Sequence, residues 1–255
     1  MGQVTPGRSD GARRRGALLA LVALLLAVAL LPSRGMAATE PAEGWVPPPK
    51  RVALQVGHLR IDELPEDQAR LRTQTGGSGG GYREVDINQA VAERTAAILT
   101  ARGIAVDILP AAVPTGYLAD VFVAIHCDAV TDSGANGFKL ARYRASALPR
   151  NDDALIEAIR VRYAAATSLP WDDNITRGMS GYYAYNQRLY RSVISPRTPA
   201  AIIELGFLTN AHDRALLVGS QDLIAAALAQ GILDYLELAP SLGARQFAGT
   251  GWPMP

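Results

Sequence analysis

The sequence predicts an α/β fold: a single domain with a mostly parallel, twisted sheet and helices on both faces. Two patterns carry that expectation. Short apolar runs of strand length recur along the chain, and stretches of helix length separate them, the alternation that builds parallel sheets. Size and composition agree with it. The chain has 255 residues, 49% hydrophobic and 19% charged, and with its ends trimmed a domain of roughly 190 residues is ample for one core.

Val52 to Val56 is a short apolar run stopped by Gly57, which reads as a buried strand. An acidic stretch follows (Asp62, Glu63, Glu66, Asp67) and reads as a solvated loop; Gly76 to Gly81 reads as a flexible one. Asp86 to Arg102 carries Ile87, Ala90, Val91, Ile98 and Leu99 and ends at Gly103, so an amphipathic helix is expected there. Its start fits Asp86 as N-cap, with Gln89 reciprocating from the third position. Strands are expected over Ile104 to Leu109 and Val121 to Ile125, with a weaker one from Phe138 to Tyr143. Asp153 to Ala166 reads as a helix, Ala200 to Leu205 as a buried strand, and Gln221 to Leu238 as a long final helix. No internal repeat is present.

The ends are different material. Arg13, Arg14 and Arg15 precede an apolar run from Ala17 to Leu31, and small residues follow at Gly35, Ala37 and Ala38. These are the parts of a secretory signal. The run is about 15 residues, below the roughly 20 that span a bilayer. Residues 1–38 are therefore expected as a signal peptide, with a short membrane anchor as the alternative. Either way this segment engages the membrane or the export machinery, and the remainder is exported to the cell envelope or beyond. Residues 39–50, with Pro41 and Pro47 to Pro49, read as a Pro-rich linker, 51–238 as the folded domain, and 239–255 as a tail that wraps or dangles. The single cysteine, Cys127, leaves no internal disulfide. A net charge of +1 without a basic stripe gives no reason to expect nucleic acid.

In open α/β sheets, ligands gather beyond the carboxyl ends of the strands. Three strong strands end in a chemically capable residue: Val52–Val56 into His58, Val121–Ile125 into His126, and Ala200–Ile203 into Glu204. A lone histidine at a strand end is more often a structural residue than a ligand. Two on one rim change the reading, because two imidazoles and a carboxylate hold zinc and leave a fourth position for water. The remaining histidine, His212, lies at a helix start capped by Asn210 or Thr209 and is taken as surface. Spacing alone does not choose the carboxylate. Asp62, Glu63, Glu66 and Asp67 belong to the acidic loop, Asp86 has its capping role, and Glu84, just ahead of the helix, is modestly favoured. Glu204 is flanked by apolar residues, so it must be paired, neutral or functional, since burying a bare charge is costly. Arg177 and Arg188 are its candidate partners for a structural ion pair. Cys127 follows His126 directly and should point the opposite way, into packing.

Gly57-His58, then Glu84 with Asn88 four residues later, then Ala124 to Ala129 (AIHCDA), then Pro199 to Asn210 (PAAIIELGFLTN) occur in that order. Together they resemble the catalytic domain of zinc-dependent N-acetylmuramoyl-L-alanine amidases, bacterial cell-wall hydrolases of the amidase-3 type, over roughly Arg51 to Leu238. The resemblance implies zinc on His58, Glu84 and His126, with Glu204 catalytic. It also implies peptidoglycan as substrate, cut between the lactyl group of N-acetylmuramic acid and L-alanine of the stem peptide. The chain departs from the family pattern at Leu59-Arg60, where glycines are usual, at Ala124 and Asp128, and in a long segment between His58 and Glu84.

Arg60, Asp62 and the glycine loop are expected along one wall of a groove for a glycan-peptide strand. Tyr182, Tyr183 and Tyr185 are expected along another, with ordinary strand packing as the competing reading, and Arg177 is a candidate contact for a stem-peptide carboxylate. Two other functions compete: a wall-binding or regulatory module without efficient catalysis, and a zinc hydrolase of another amide, such as a free peptide.

Overall fold

The computed structural model describes residues 1–2, 49–132 and 134–247, with side chains up to residue 237. The chain divides into two compact units, Met1–Pro47 and Pro48–Pro255, and the architecture that follows is that of the second. The expected signal or anchor, almost all of the expected linker, and residues 248–255 lie outside the described residues.

The strands are β1 (Arg51–Val56), β2 (Ser78–Gly79), β3 (Tyr82–Arg83), β4 (Ala105–Leu109), β5 (Val121–Asp128), β6 (Lys139–Ala141) and β7 (Ala200–Phe207). The helices are α1 (Glu84–Thr100), α2 (Pro149–Thr167), α3 (Arg177–Ser180), α4 (Ala211–Gly219) and α5 (Gln221–Phe247). The main sheet has the order β4-β1-β5-β7-β6. Its first four strands are parallel and the edge strand β6 is antiparallel to β7. This is the mostly parallel sheet the alternating pattern predicts.

Successive strand residues face opposite sides of the sheet, and here the two sides have different covers. Val52, Leu54, Val123, Ile125, Ala201 and Ile203 face the long helices and share a core with Val91 and Leu99 of α1, Leu155 and Ile159 of α2, and Leu228 and Ile232 of α5. Close packing of α5 on α2 requires Gly231, where a Cβ would sit about 2.6 Å from the Ile159 Cα. The opposite parity (Ala53, Phe122, Ala124, Ala200, Ile202) faces Met179 of α3, Tyr182, Tyr185 and Ile194. Helical segments thus lie on both faces, but the second is covered by short turns. His126 and Glu204 have this second parity, whereas Cys127 has the first and is buried in the helix-side core.

Several boundaries differ from expectation, each for a local reason. Helix α1 begins at Glu84, so Asp86 is not its cap; Asp86 instead pairs with Arg83 at 2.9 Å. The glycine loop supplies the start, because the Glu84 N–H donates to the Gly77 carbonyl at 3.0 Å. That loop is a small hairpin, β2–β3, turned by Gly80 and Gly81 at φ of 58° and 86°, a region open to glycine. The acidic stretch forms two 3₁₀ turns, Ile61–Glu63 and Glu66–Leu71. Within it Asp67 accepts the N–H groups of Arg191 and Ser192 at 2.7 and 3.0 Å, which pins it to a distant segment. Tyr183–Tyr185 is a 3₁₀ turn, not a strand. Helix α5 continues through the expected tail to Phe247. Asn210 caps α4 as expected, and the His212 side chain is exposed.

Candidate metal centre and catalytic site

His58, Glu84 and His126 meet, each offering one ligand atom, with all three atoms within 4.8 Å of one another. Three features bring them together. Gly57 continues β1 by donating to the Ile125 carbonyl at 3.0 Å, and a Cβ there would overlap the His126 ring, so only glycine lets that imidazole lie against the β1 exit. The chain then turns back through His58 itself, which holds a left-handed φ of 65°, strained for a residue with a Cβ. Glu84 opens α1, where the helix N-terminus favours a carboxylate.

The hydrogen bonds fix which nitrogen of each ring faces the centre. His58 Nδ1 lies 2.6 Å from the Gln74 carbonyl, an obligate acceptor, so Nδ1 carries the proton. Its Nε2 then points its lone pair at Glu84 Oε1, 3.3 Å away. For His126 the assignment runs through a buried relay. Gln55 Nε2 donates to the Ala111 carbonyl at 2.9 Å, which leaves Gln55 Oε1 to accept from the Tyr182 hydroxyl at 2.8 Å. With its hydrogen committed, the Tyr182 oxygen accepts from His126 Nε2–H at 2.9 Å. The lone pair of His126 Nδ1 therefore faces Glu84 Oε1 at 2.9 Å.

Glu84 is an anion. Its Oε2 accepts the Gly77 N–H at 2.7 Å, and its Oε1 accepts from Cys127 N–H and Asn88 Nδ2 at 3.2 and 3.3 Å. Burial would raise its pKa, but the two imidazoles beside it, whenever they carry a second proton to donate, outweigh that and hold it far below the ordinary carboxylate range. Two imidazole lone pairs and a carboxylate oxygen thus converge with no protein hydrogen between them. Such a cluster repels itself unless a cation sits in it, and this donor set is one that zinc takes. For His58, burial lowers the pKa but the bond to Glu84 and its charge raise it further, so a proton competes for that place.

Glu204 stands beside this cluster, paired in register with His126 across β5 and β7. Its Oε2 is buried with no hydrogen-bond partner. Burial pushes its pKa well up, Glu84 and Asp128 add to the shift, and Lys139 opposes it. Neither Arg177 nor Arg188 pairs with it, so the structural ion pair does not form. The nearest cation in register, Lys139, is instead held by Asp128 at 2.6 Å and Asp172 at 3.4 Å. Cys127 is no ligand: its Sγ bonds Asn88 Oδ1 at 3.4 Å on the helix side.

Two clefts of about 510 and 470 Å³ meet at His58, His126 and Glu204 and form one groove. The first runs between the Tyr182 turn, which includes the expected Tyr183 wall, and the turn around Leu71; Arg177 lines it, while the buried Tyr185 does not. The second is floored by Gly76, Gly77 and Ala129. Arg60 and Asp62 border a separate depression that shares His58 and the glycine loop. Sequence reasoning missed Gln55; it expected Tyr182 as a groove wall, which Tyr182 is, but not its hydroxyl's place in the relay to His126. The signal for Gln55 was there, a lone amide inside an apolar strand, since a buried polar side chain must be answered by a partner.

Residues 52–234 match the family model described as N-acetylmuramoyl-L-alanine amidase. The chain belongs to that family. The fold of this amidase is also that of solved structures. An N-acetylmuramoyl-L-alanine amidase from Mycobacterium smegmatis is 20% identical, with a TM-score of 0.56 over 74% of this chain and 97% of that one. One from Clostridium difficile 630 is 20% identical (TM-score 0.52; 75% and 98% covered), and one from Nostoc punctiforme is 23% identical (TM-score 0.51; 74% and 97%). At these identities the likeness speaks for the fold. No curated protein matches the amidase.

Proposed function

We propose that this amidase is zinc-dependent and hydrolyses peptidoglycan at the amide joining the lactyl group of N-acetylmuramic acid to L-alanine of the stem peptide. His58 Nε2, His126 Nδ1 and Glu84 Oε1 would hold the zinc. The carrying observation is that these three electron-rich atoms face one another with a buried, unpartnered carboxyl oxygen alongside. A zinc ion there supplies Lewis-acid polarisation of the amide carbonyl and acidifies a water molecule. Glu204 is the proton carrier. It takes a proton from the attacking water and delivers it to the amide nitrogen, which is a poor leaving group until protonated. Burial leaves Glu204 able to hold that proton, and positive charge at the neighbouring centre lets it release one. Gly57, Gln55 and Tyr182 orient His126; Asn88 and Gly77 orient Glu84.

The function places the chain outside the cytoplasm, where its substrate is, and the basic and apolar N-terminal segment fits an export signal. Mass spectrometry of purified peptidoglycan after incubation with the zinc-loaded protein tests the reading. New L-alanine amino termini are expected, and none with Glu204→Gln. Products cut elsewhere in the peptide would show a different amide as substrate, and intact sacculi would favour a non-catalytic wall-binding role.

A further inference from the structure

The groove is electrically lopsided about its centre. Its first cleft carries Arg70, Arg144 and Arg177, and the sole acid on its lining is Glu204. The second cleft carries Glu84 and Asp128 with no lysine or arginine. Arg70 is engaged, donating to the Tyr190 hydroxyl and lying 5.7 Å from that ring's centre. Arg144 and Arg177 are exposed and pair with no carboxylate among the described residues, whereas Arg142, two positions away, is held by Asp153 at 2.6 Å.

The backbone ties these two arginines to one small frame. Arg177 opens α3, whose first turn is capped by the Thr176 hydroxyl accepting the Met179 N–H. The Arg144 N–H donates to the carbonyl of Ser180, the last residue of the same helix, at 3.0 Å. Solvated arginines are common on surfaces. Two arginines in the cleft that reaches the reaction centre, where the sole lining acid is the buried Glu204, are a different situation. A guanidinium presents a planar fork of donors that matches a carboxylate.

The substrate is lopsided too. On one side of the scissile amide lies a glycan of hydroxyl and acetamide groups; on the other lies a peptide with free carboxylates. We propose that Arg144 and Arg177 form an anion subsite for a stem-peptide carboxylate, which directs the peptide into the first cleft and the glycan along the Gly76–Gly77 cleft. This assignment rests on the peptidoglycan amidase reading above and adds to it the direction in which substrate lies.

The test uses two soluble muropeptides that differ only in having the stem carboxylates free or amidated. The zinc-loaded protein should favour the free form by about tenfold in kcat/KM, mostly through KM, as expected for one charge-assisted contact. In Arg144→Gln, Arg177→Gln and the double variant that ratio should fall toward one. Calorimetric binding of both ligands to zinc-loaded Glu204→Gln, with and without the arginine substitutions, should show the same loss of preference. Equal use of both substrates by the unsubstituted protein overturns the subsite and leaves the amidase reading standing, as does an arginine effect that is the same for both. If the unsubstituted protein cleaves neither, the amidase reading itself fails.

Discussion

The relay behind His126 makes the sharpest prediction. Tyr182→Phe removes one oxygen and keeps the ring in its packed position. It strands two buried groups, His126 Nε2–H and Gln55 Oε1, in a region where Gln55 is 0% and His126 6% exposed. A buried polar group left without its partner costs about 1–3 kcal/mol. Stability should therefore fall by about 2 kcal/mol or somewhat more. The second effect is specific to the centre. Without the hydroxyl to accept Nε2–H, His126 can place its proton on Nδ1 and donate to Glu84 Oε1, already 2.9 Å away. That tautomer turns no lone pair toward the centre. Zinc affinity should drop about 10- to 100-fold, the usual effect of removing such a partner.

Competition with a chromophoric chelator measures the affinity. Nitrogen-15 NMR of the zinc-loaded chain measures the proton, and three histidines make assignment simple. The unsubstituted chain should show an Nε2–H at His126 protected from exchange, and in the variant that proton should lose its protection. Tyr185→Phe serves as the control. Its hydroxyl donates to the Met179 carbonyl at 3.2 Å, outside the relay, so that change should cost stability and leave zinc affinity alone. A Tyr182→Phe protein that binds zinc within twofold of the original would refute the relay.

Three further outcomes follow from the same geometry. Glu204→Gln should keep zinc and lose roughly 10²–10⁴ in turnover, the range for a lost proton carrier; near-normal hydrolysis would show that the proton travels elsewhere. Gly57→Ala drives a Cβ into the His126 ring and should cost about 1–3 kcal/mol of stability as well as zinc affinity, read by melting and chelator competition. The third concerns pH: His58 is raised above the ordinary value near 6.5, so zinc affinity should weaken as the pH falls and begin to do so above that value. In the cation-free chain the sign reverses: the stability His58 contributes is complete below the unfolded value and fades as pH rises through the folded one. Melting with and without zinc across that range shows both slopes, and a pH-independent affinity would remove His58 from the centre.

The parts of the site that the sequence made legible are those that depend on period and position. Apolar runs ending in His58, His126 and Glu204 marked three parallel strands, and the two-residue period alone sent Cys127 to the opposite side of the sheet from His126. What stayed hidden depends on contacts between distant segments. Asp86 looked like a cap because its neighbours fit the local rule, but the Gly77 carbonyl, seven residues before Glu84, starts the helix instead. Asp67 looked solvated because nothing nearby in sequence shows the two N–H groups it accepts at 191 and 192. The tyrosines looked like strand residues by composition. Their role comes from hydroxyl groups that reach Gln55 and Ala111, more than 70 positions away.

Two glutamates lining the same cleft as His58 and His126 end with opposite chemistry, and their surroundings account for it. Glu84 sits at a helix N-terminus, receives three hydrogen bonds from Gly77, Cys127 and Asn88, and faces both histidines. The three donors and the helix N-terminus stabilise negative charge, and the two imidazoles turn lone pairs toward the same point, so Glu84 is fixed as an anion and suited to hold a cation. Glu204 sits in mid-strand, with an oxygen that no donor reaches, two acidic neighbours raising its pKa, and its one opposing cation, Lys139, shared between Asp128 and Asp172. Nothing there holds the charge permanently, and that is the condition the proposed proton carrier requires. Exchanging the two environments would exchange the roles; exchanging the residues would change nothing, since they are the same residue.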